Sequence, residues 1–212
     1  MSDDPVSVLI LAGGRSRRMG LDKVWLRLEG QPLVERAARR VLPLAREVLF
    51  SSNSPEPFVT LQGSLGVPAR VVADEFQGMG PLAGLHAGLK AAGHDLLLVL
   101  AADMPFVDLA LLRYMLALAQ SHDAVVPRVP RGPSGSLAWE PLHALYRHIC
   151  LPAVERHLRA GDRRAYGFLP DVRTRAVLGS EIALFEAGMA SFLNLSTPAD
   201  WLQGQRLAGP AG

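Results

Sequence analysis

The segment 11–23 reads LAGGRSRRMGLDK and places two adjacent glycines, three arginines and a lysine directly after a short apolar run. Gly13 and Gly14 let the backbone approach a ligand closely and take φ above zero, so that successive N–H groups can face an anion. Arg15, Arg18 and Lys23 add positive charge around the same loop. Arginine's planar fork suits multidentate phosphate contact, while lysine acts as a compact charge. Together these residues make a cradle for a triphosphate. The spacing matches neither the dinucleotide fingerprint GxGxxG nor the P-loop GxxxxGK[ST], since Gly14 and Gly20 stand too far apart and Lys23 is not adjacent to Gly20. A glycine pair alone is compatible with an ordinary tight turn; Lys23 and Arg18 in the same segment favour the phosphate loop. Arg17 is read as a solvated member of the charge run.

A second candidate is Asp103, which opens the triplet Asp103-Met104-Pro105 after the apolar run 95–102. A carboxylate at the carboxyl end of a buried strand reaches the ligand crevice and can bind a hard divalent cation such as Mg²⁺ together with phosphate oxygens and water. The bland alternative is a helix N-cap, because Pro105 and the residues after it could open a helix.

Such a site needs strands that end at one edge. The run 6–12 is continuously apolar and breaks at glycine, the texture of a strand buried on both faces; it returns at 47–52, 70–73, 95–102 and 123–126. Helical periodicity fills the intervals at 33–42, 82–92 and 109–120. Strands alternating with helices imply an α/β fold: a single Rossmann-like domain whose central sheet is mostly parallel, with helices on both faces. Beyond 126 the expectation is a turn-rich connection at PRVPRGPSG, a short strand near Leu137 and a long amphipathic helix over 142–158 carrying His143, His148 and His157. The spacing of these histidines does not give the i, i+4 pair of a zinc site, so they are read as surface or packing residues. The segment 173–192 is expected to return to the sheet. Ser196-Thr197-Pro198 reads as a helix cap with proline at the first helical position, and the tail 206–212 as frayed. The chain is read as one domain with two halves, 1–105 and 106–205.

Composition narrows the partners. A formal net charge of +2 over 212 residues excludes the whole-molecule basic field of a nucleic-acid binder. The only lysines are Lys23 and Lys90 in an arginine-rich chain, which invites a chemical reason for each. A single cysteine, Cys150, excludes an intramolecular disulfide and a Cys-based zinc cluster within one chain and fits a small buried apolar role. The acidic start MSDDPVSVLILAGG has the wrong charge order for a signal peptide and too few apolar residues for a span. A cytoplasmic protein with no membrane or nucleic-acid partner is expected.

The segment LAGGRSRRMGLDK resembles the LAGGxSxRMGxDK motif of the molybdenum cofactor guanylyltransferases. Further matches follow in order: Gln31-Pro32-Leu33, Ser51-Ser52-Asn53, Asp74 ahead of Gly80-Pro81-Leu82-Ala83-Gly84, Asp103-Met104-Pro105, and Phe192 through Pro198, so the resemblance spans nearly the whole chain. It implies transfer of GMP from GTP to the terminal phosphate of molybdopterin, with Mg²⁺ on Asp103 as cofactor. Proteins of cofactor synthesis and of molybdoenzyme maturation are further partners it suggests. The implied catalytic residues are Arg18, Lys23 and Asp103. The nucleotide-binding set adds Leu11, Ala12, Gly13, Gly14, Arg15, Ser51, Asn53, Asp74, Gly80, Pro81, Leu82 and Gly84, and Arg163 and Asn194 are assigned to the acceptor. One departure stands out: Ser196 occupies the place of the second asparagine in the family's NxNTP, which bears on the acceptor side of the site. Two other readings stand beside this one. The first is a nucleotidyltransferase with another base or acceptor, such as cytidylyl transfer to molybdopterin or transfer to a sugar phosphate; LAGG and DMP argue against it. The second is a non-catalytic nucleotide or cofactor carrier, against which Lys23 and Asp103 together argue for turnover.

Overall fold

Strand β1 (Val6–Leu11) is buried along both faces, and its neighbours explain why. Val8 and Ile10 point into one apolar layer and Leu9 into the other, the period-2 alternation of a strand covered by helices on each side. The computed structural model describes residues 4–13, 23–131 and 135–209. After β1 come a small hairpin of β2 (Arg27–Leu28) and β3 (Gln31–Pro32), then α1 (Leu33–Val41), β4 (Ala45–Ser51), α2 (Val59–Ser64), β5 (Ala69–Val72), α3 (Pro81–Ala91), β6 (Leu96–Ala101) and α4 (Leu109–Leu118). The second half holds β7 (Ala124–Arg131), β8 (Ser136–Trp139), β9 (His143–Arg147), α5 (Leu151–Arg159), β10 (Thr174–Leu178), α6 (Gly179–Ile182) and α7 (Pro198–Ala208).

Among the described residues, the main sheet has eight strands in the order β10-β7-β9-β6-β1-β4-β5, with β8 paired to β7. The β1–β4, β1–β6, β4–β5 and β7–β10 pairs are parallel; β9 runs antiparallel to both β6 and β7, and β8 antiparallel to β7. One core layer joins the sheet to α1, α2 and α4, and the other to α3 and α5. This is the mostly parallel α/β architecture that the alternating pattern implies.

The expected helix over 142–158 is corrected. His143–Arg147 is the strand β9, His148–Cys150 is a turn of 3₁₀ helix, and the α-helix begins only at Leu151. Ala144 and Tyr146 enter one core layer and Leu145 the other, so the run is apolar by virtue of two covered faces, and helical spacing within it was coincidental. Pro152 marks the true start, because proline at the first turn lacks only an N–H that a helix leaves unbonded there. The turn expected from residue 127 is also displaced: β7 continues to Arg131 and pairs with β8 despite Pro127 and Pro130. Of the segment 173–192, only Thr174–Leu178 joins the sheet. At the carboxyl end, α7 runs through Ala208, so residues 206–208 are helical rather than frayed.

Candidate active site

Four strands end level with one another. Leu11 pairs with Ser51 of β4 on one side and with Ala101 of β6 on the other, and Ser51 pairs in turn with Val72 of β5. The residues that follow these ends therefore share one edge of the sheet, the edge at which parallel α/β sheets bind ligands.

The first group on this edge is built from β1, β4 and the start of α3. Ala12 donates its N–H to the Ser51 carbonyl at 3.2 Å, which turns the chain at Gly13 across the end of β4. The Ser51 hydroxyl donates to Asp74 Oδ1 at 3.1 Å, and the Asp74 N–H donates to Asn53 Oδ1 at 3.1 Å. Burial pushes the Asp74 carboxyl above its ordinary value, and the Ser51 hydrogen bond offsets part of that. Gly80 takes φ +69°, in the left-handed region, and leads into Pro81 at the first turn of α3. A Cβ on Gly84 would lie 2.4 Å from Leu11 Cδ2 and 2.8 Å from Ser51 Oγ, so only glycine lets α3 approach the strand ends this closely. Leu82 is fully buried in the core beneath. The predicted nucleotide residues Leu11, Ala12, Gly13, Ser51, Asn53, Asp74, Gly80, Pro81, Leu82 and Gly84 are thus gathered at one place.

The second group centres on Asp103. The Lys23 ammonium lies 2.6 Å from Asp103 Oδ2 and 2.6 Å from the Ser196 hydroxyl. Lys23 begins a 3₁₀ turn whose Trp25 packs against Phe58, with ring centroids 5.1 Å apart, and this anchors the lysine's backbone to the core. Asp103 is fixed by its neighbours: Ala102 donates to the Leu11 carbonyl at 3.1 Å, and the Asp103 carbonyl accepts the Leu195 N–H at 3.0 Å. The two groups are therefore joined through adjacent residues of β1 and β6. The helix cap offered as an alternative for Asp103 is filled by Asp108, whose Oδ1 accepts from Ala110 N at 2.7 Å and Leu111 N at 3.1 Å.

Gly14, Arg15 and Arg18 lie outside the described residues. Asn194 stands two residues before Ser196, whose N–H donates to the Asn194 carbonyl at 2.9 Å. Arg163 is exposed, and its carbonyl lies 3.8 Å from where a Gly80 Cβ would stand. That places its backbone beside the first group, whereas Asn194 belongs to the second; the described contacts do not bring the two acceptor candidates together. Lys90 pairs with Glu75 at 2.6 Å on the surface, leaving Lys23 as the lysine of the site. His86 is fully buried on α3, with Nε2 3.1 Å from Glu155 and its ring edge-on to Phe76, a packing role. Cys150 is buried, and burial raises its thiol to about 12.

Ser196, Thr197 and Asp200 join the site; the residue pattern named Ser196 as a departure and Ser196-Thr197-Pro198 as a helix cap, but not Asp200. Asp200 Oδ2 accepts the N–H groups of Ser196 at 3.0 Å and Thr197 at 2.7 Å, and the Thr197 hydroxyl accepts the Asp200 N–H at 3.2 Å, a capping box at the start of α7. Burial works against the Asp200 carboxylate, but the bonds from Thr197 and Ser196 and the charge of Lys23 hold it below the ordinary value. A groove of about 1040 Å³ opens nearby, between α1 and α4, with Arg36, Arg40, Phe106 and Arg113 on its walls; no residue predicted for the site lines it. Arg40 there donates to the Val107 carbonyl at 2.9 Å, and Arg36 lies 3.5 Å from Glu29.

Among the described residues, no helix is long and apolar enough to cross a membrane. A family model described as the MobA-like NTP transferase domain matches residues 8–176. A molybdenum cofactor guanylyltransferase from Syntrophotalea carbinolica is 34% identical over 201 residues, covering 94% of this chain and 90% of that protein. Another from Desulfosudis oleivorans is 32% identical over 196 residues, covering 92% and 91%. Among solved structures, molybdopterin-guanine dinucleotide biosynthesis protein A from Archaeoglobus fulgidus superposes with a TM-score of 0.77 at 25% identity, covering 95% of this chain and 98% of that one. With Gly13, Gly80, Gly84, Lys23 and Asp103 meeting at one sheet edge within a matched region of this extent, the chain belongs to the MobA-like NTP transferase family.

Proposed function

We propose that this protein transfers GMP from GTP to the terminal phosphate of molybdopterin and releases pyrophosphate. The observation that carries the reading is the meeting of Lys23 and Asp103 at 2.6 Å, beside the strand ends that gather the nucleotide residues. In the reaction, a phosphate oxygen of the acceptor attacks the α-phosphorus of GTP, a new P–O bond forms, the bond from the α-phosphorus to the bridging oxygen breaks, and the electron pair leaves with pyrophosphate. The attacking phosphate is already anionic, so the protein need not supply a strong general base. Its work is to position the reactants and to neutralise charge.

The residues fit a magnesium ion. Asp103 offers one hard carboxylate, of which Oδ1 makes no hydrogen bond among the described residues, and no cluster of three or more His, Cys, Asp or Glu side chains there could cage a cation. One protein carboxylate completed by phosphate oxygens and water is the usual magnesium arrangement. When bound, the ion supplies charge neutralisation on the triphosphate. Lys23, with Arg18 and Arg15 of the segment 11–23, takes the β- and γ-phosphates. Backbone groups of Leu11 to Gly13 and of the Gly80 to Gly84 turn read the guanine, and Asn53, Ser51 and Asp74 contact the nucleoside. Asn194 and Arg163 serve the acceptor. The strong relatives named as guanylyltransferases support guanine over cytosine. Incubation with GTP, Mg²⁺ and molybdopterin, followed by mass spectrometry of the pterin, tests the proposal: a molybdopterin-guanine dinucleotide supports it, and unchanged molybdopterin opposes it.

A further inference from the structure

The Lys23 ammonium is held by two oxygens at once, Asp103 Oδ2 and Ser196 Oγ, each at 2.6 Å. Ser196 is itself fixed. Its N–H is shared between the Asn194 carbonyl at 2.9 Å and Asp200 Oδ2 at 3.0 Å. The neighbouring Leu195 is fully buried and donates its N–H to the Asp103 carbonyl at 3.0 Å. Leu195 packs with Leu28 and Leu33, which follow Lys23 in the chain, and with Phe106, which follows Asp103. A Cβ on Gly204 of α7 would lie 2.8 Å from Leu195 Cδ2, so the helix is seated directly on this residue. The three segments that carry Lys23, Asp103 and Ser196 are therefore locked into one small apolar cluster, and the serine hydroxyl is a built part of the arrangement.

In this arrangement the ammonium covers one oxygen of the carboxylate assigned to the cation. A cation that approaches the uncovered Oδ1 alone does so beside a like charge held on Oδ2. A polyphosphate that draws Lys23 away removes that charge and brings its own oxygens. We propose that Ser196 is a positioning residue that parks Lys23 across Asp103, so that the carboxylate is released to the cation when a nucleoside triphosphate takes the ammonium. Nucleotide and cation then bind with positive coupling, and by linkage each tightens the other by the same factor. The serine hydroxyl is a hydrogen-bond acceptor for a charged donor, and its loss weakens the parked state. This inference rests on the assignment of Asp103 to the cation and Lys23 to the polyphosphate.

The test measures Mn²⁺ binding by electron paramagnetic resonance on the full chain, with and without GTP and in the absence of acceptor, so that no turnover is needed. For the unaltered protein, GTP tightens Mn²⁺ binding. Ser196→Ala is expected to bind Mn²⁺ alone about threefold to tenfold more tightly, with the GTP-dependent gain reduced by the same factor. Ser196→Thr, which keeps a hydroxyl, retains the original coupling. A Ser196→Ala protein with unaltered coupling, or a Ser196→Thr protein that behaves like Ser196→Ala, overturns the proposal. Asp103→Ala separates the two levels. If it binds Mn²⁺ with GTP as well as the unaltered protein does, the cation assignment fails and the parking role with it. If it loses that binding while Ser196→Ala keeps its coupling, the parking role alone fails.

Discussion

Lys23 and Asp103 stand 80 residues apart in the chain and 2.6 Å apart in space. Their pairing joins the start of the 3₁₀ turn to the end of β6; the proposed function gives the first residue the leaving phosphates and the second the cation. Lys23→Ala should raise the KM for GTP and lower kcat, with a combined loss in kcat/KM of about 10²-fold or more, the scale of removing one preorganised charge contact. Asp103→Ala should lower kcat by at least a similar factor while GTP still binds. Steady-state kinetics with a direct GTP-binding measurement distinguishes the two; matching, unaltered activity in both variants contradicts the site.

Gly84 faces Leu11 and Ser51 at the start of α3. Adding a methyl group there brings a Cβ within 2.4 Å of Leu11 Cδ2 and 2.8 Å of Ser51 Oγ. Gly84→Ala should cost about 1–3 kcal/mol of stability through overpacking. By displacing Ser51 from Asp74, it should also weaken GTP binding. Urea unfolding and nucleotide titration on the same preparation check both, and a variant that matches the original protein in each removes Gly84 from the site.

His143, on β9, is fully buried and packs at a tilt against Phe192 with ring centroids 4.6 Å apart, and neither ring nitrogen has a hydrogen-bond partner among the described residues. Burial depresses its pKa from 6.5 to about 4, although the charge of Asp108 works in the other direction. Between these values the unfolded chain takes up a proton that the folded chain refuses. The contribution of this group to stability is therefore present above about pH 6.5 and is lost as pH falls toward 4. From pH 7 to pH 5 it amounts to about 2 kcal/mol. His143→Leu should lose less stability over that interval than the unaltered protein, as read by urea denaturation at both pH values. Equal losses contradict a neutral buried histidine.

Thr197 caps α7 through its hydroxyl, and Asp200 returns the bond. Thr197→Ala should lower stability by about 1 kcal/mol. The Asp200 bond to the Ser196 N–H survives this change, so GTP affinity should hold within a factor of about two. Thermal unfolding and GTP titration test the separation; a large loss of GTP affinity would mean that the hydroxyl itself orders the site.

The site was legible where chemistry and strand texture coincide. Leu11 to Gly13, Ser51, Asp74 and Asp103 each follow an apolar run, and parallel pairing brings those ends level. Gly80 and Gly84 were legible as glycines, but the reasons for them are three-dimensional: a left-handed φ at the first and the approach of Leu11 to the second. β9 was hidden because a strand covered on both faces is apolar throughout and carries no period of its own; Pro152 was the signal against a continuous helix. The place of Ser196 was hidden for a different reason. Its contact with Lys23 closes over 173 residues, and nothing local to Ser196-Thr197-Pro198 beyond the cap points to it.

The most direct test is pyrophosphate release by the purified protein with Mg²⁺ and molybdopterin, comparing GTP with CTP, ATP and UTP. Release that requires molybdopterin and is strongest with GTP is the predicted result. Preference for CTP would keep the fold and the roles of Lys23 and Asp103 but contradict guanylyl transfer, and no release with any of the four would contradict nucleotidyl transfer to this acceptor.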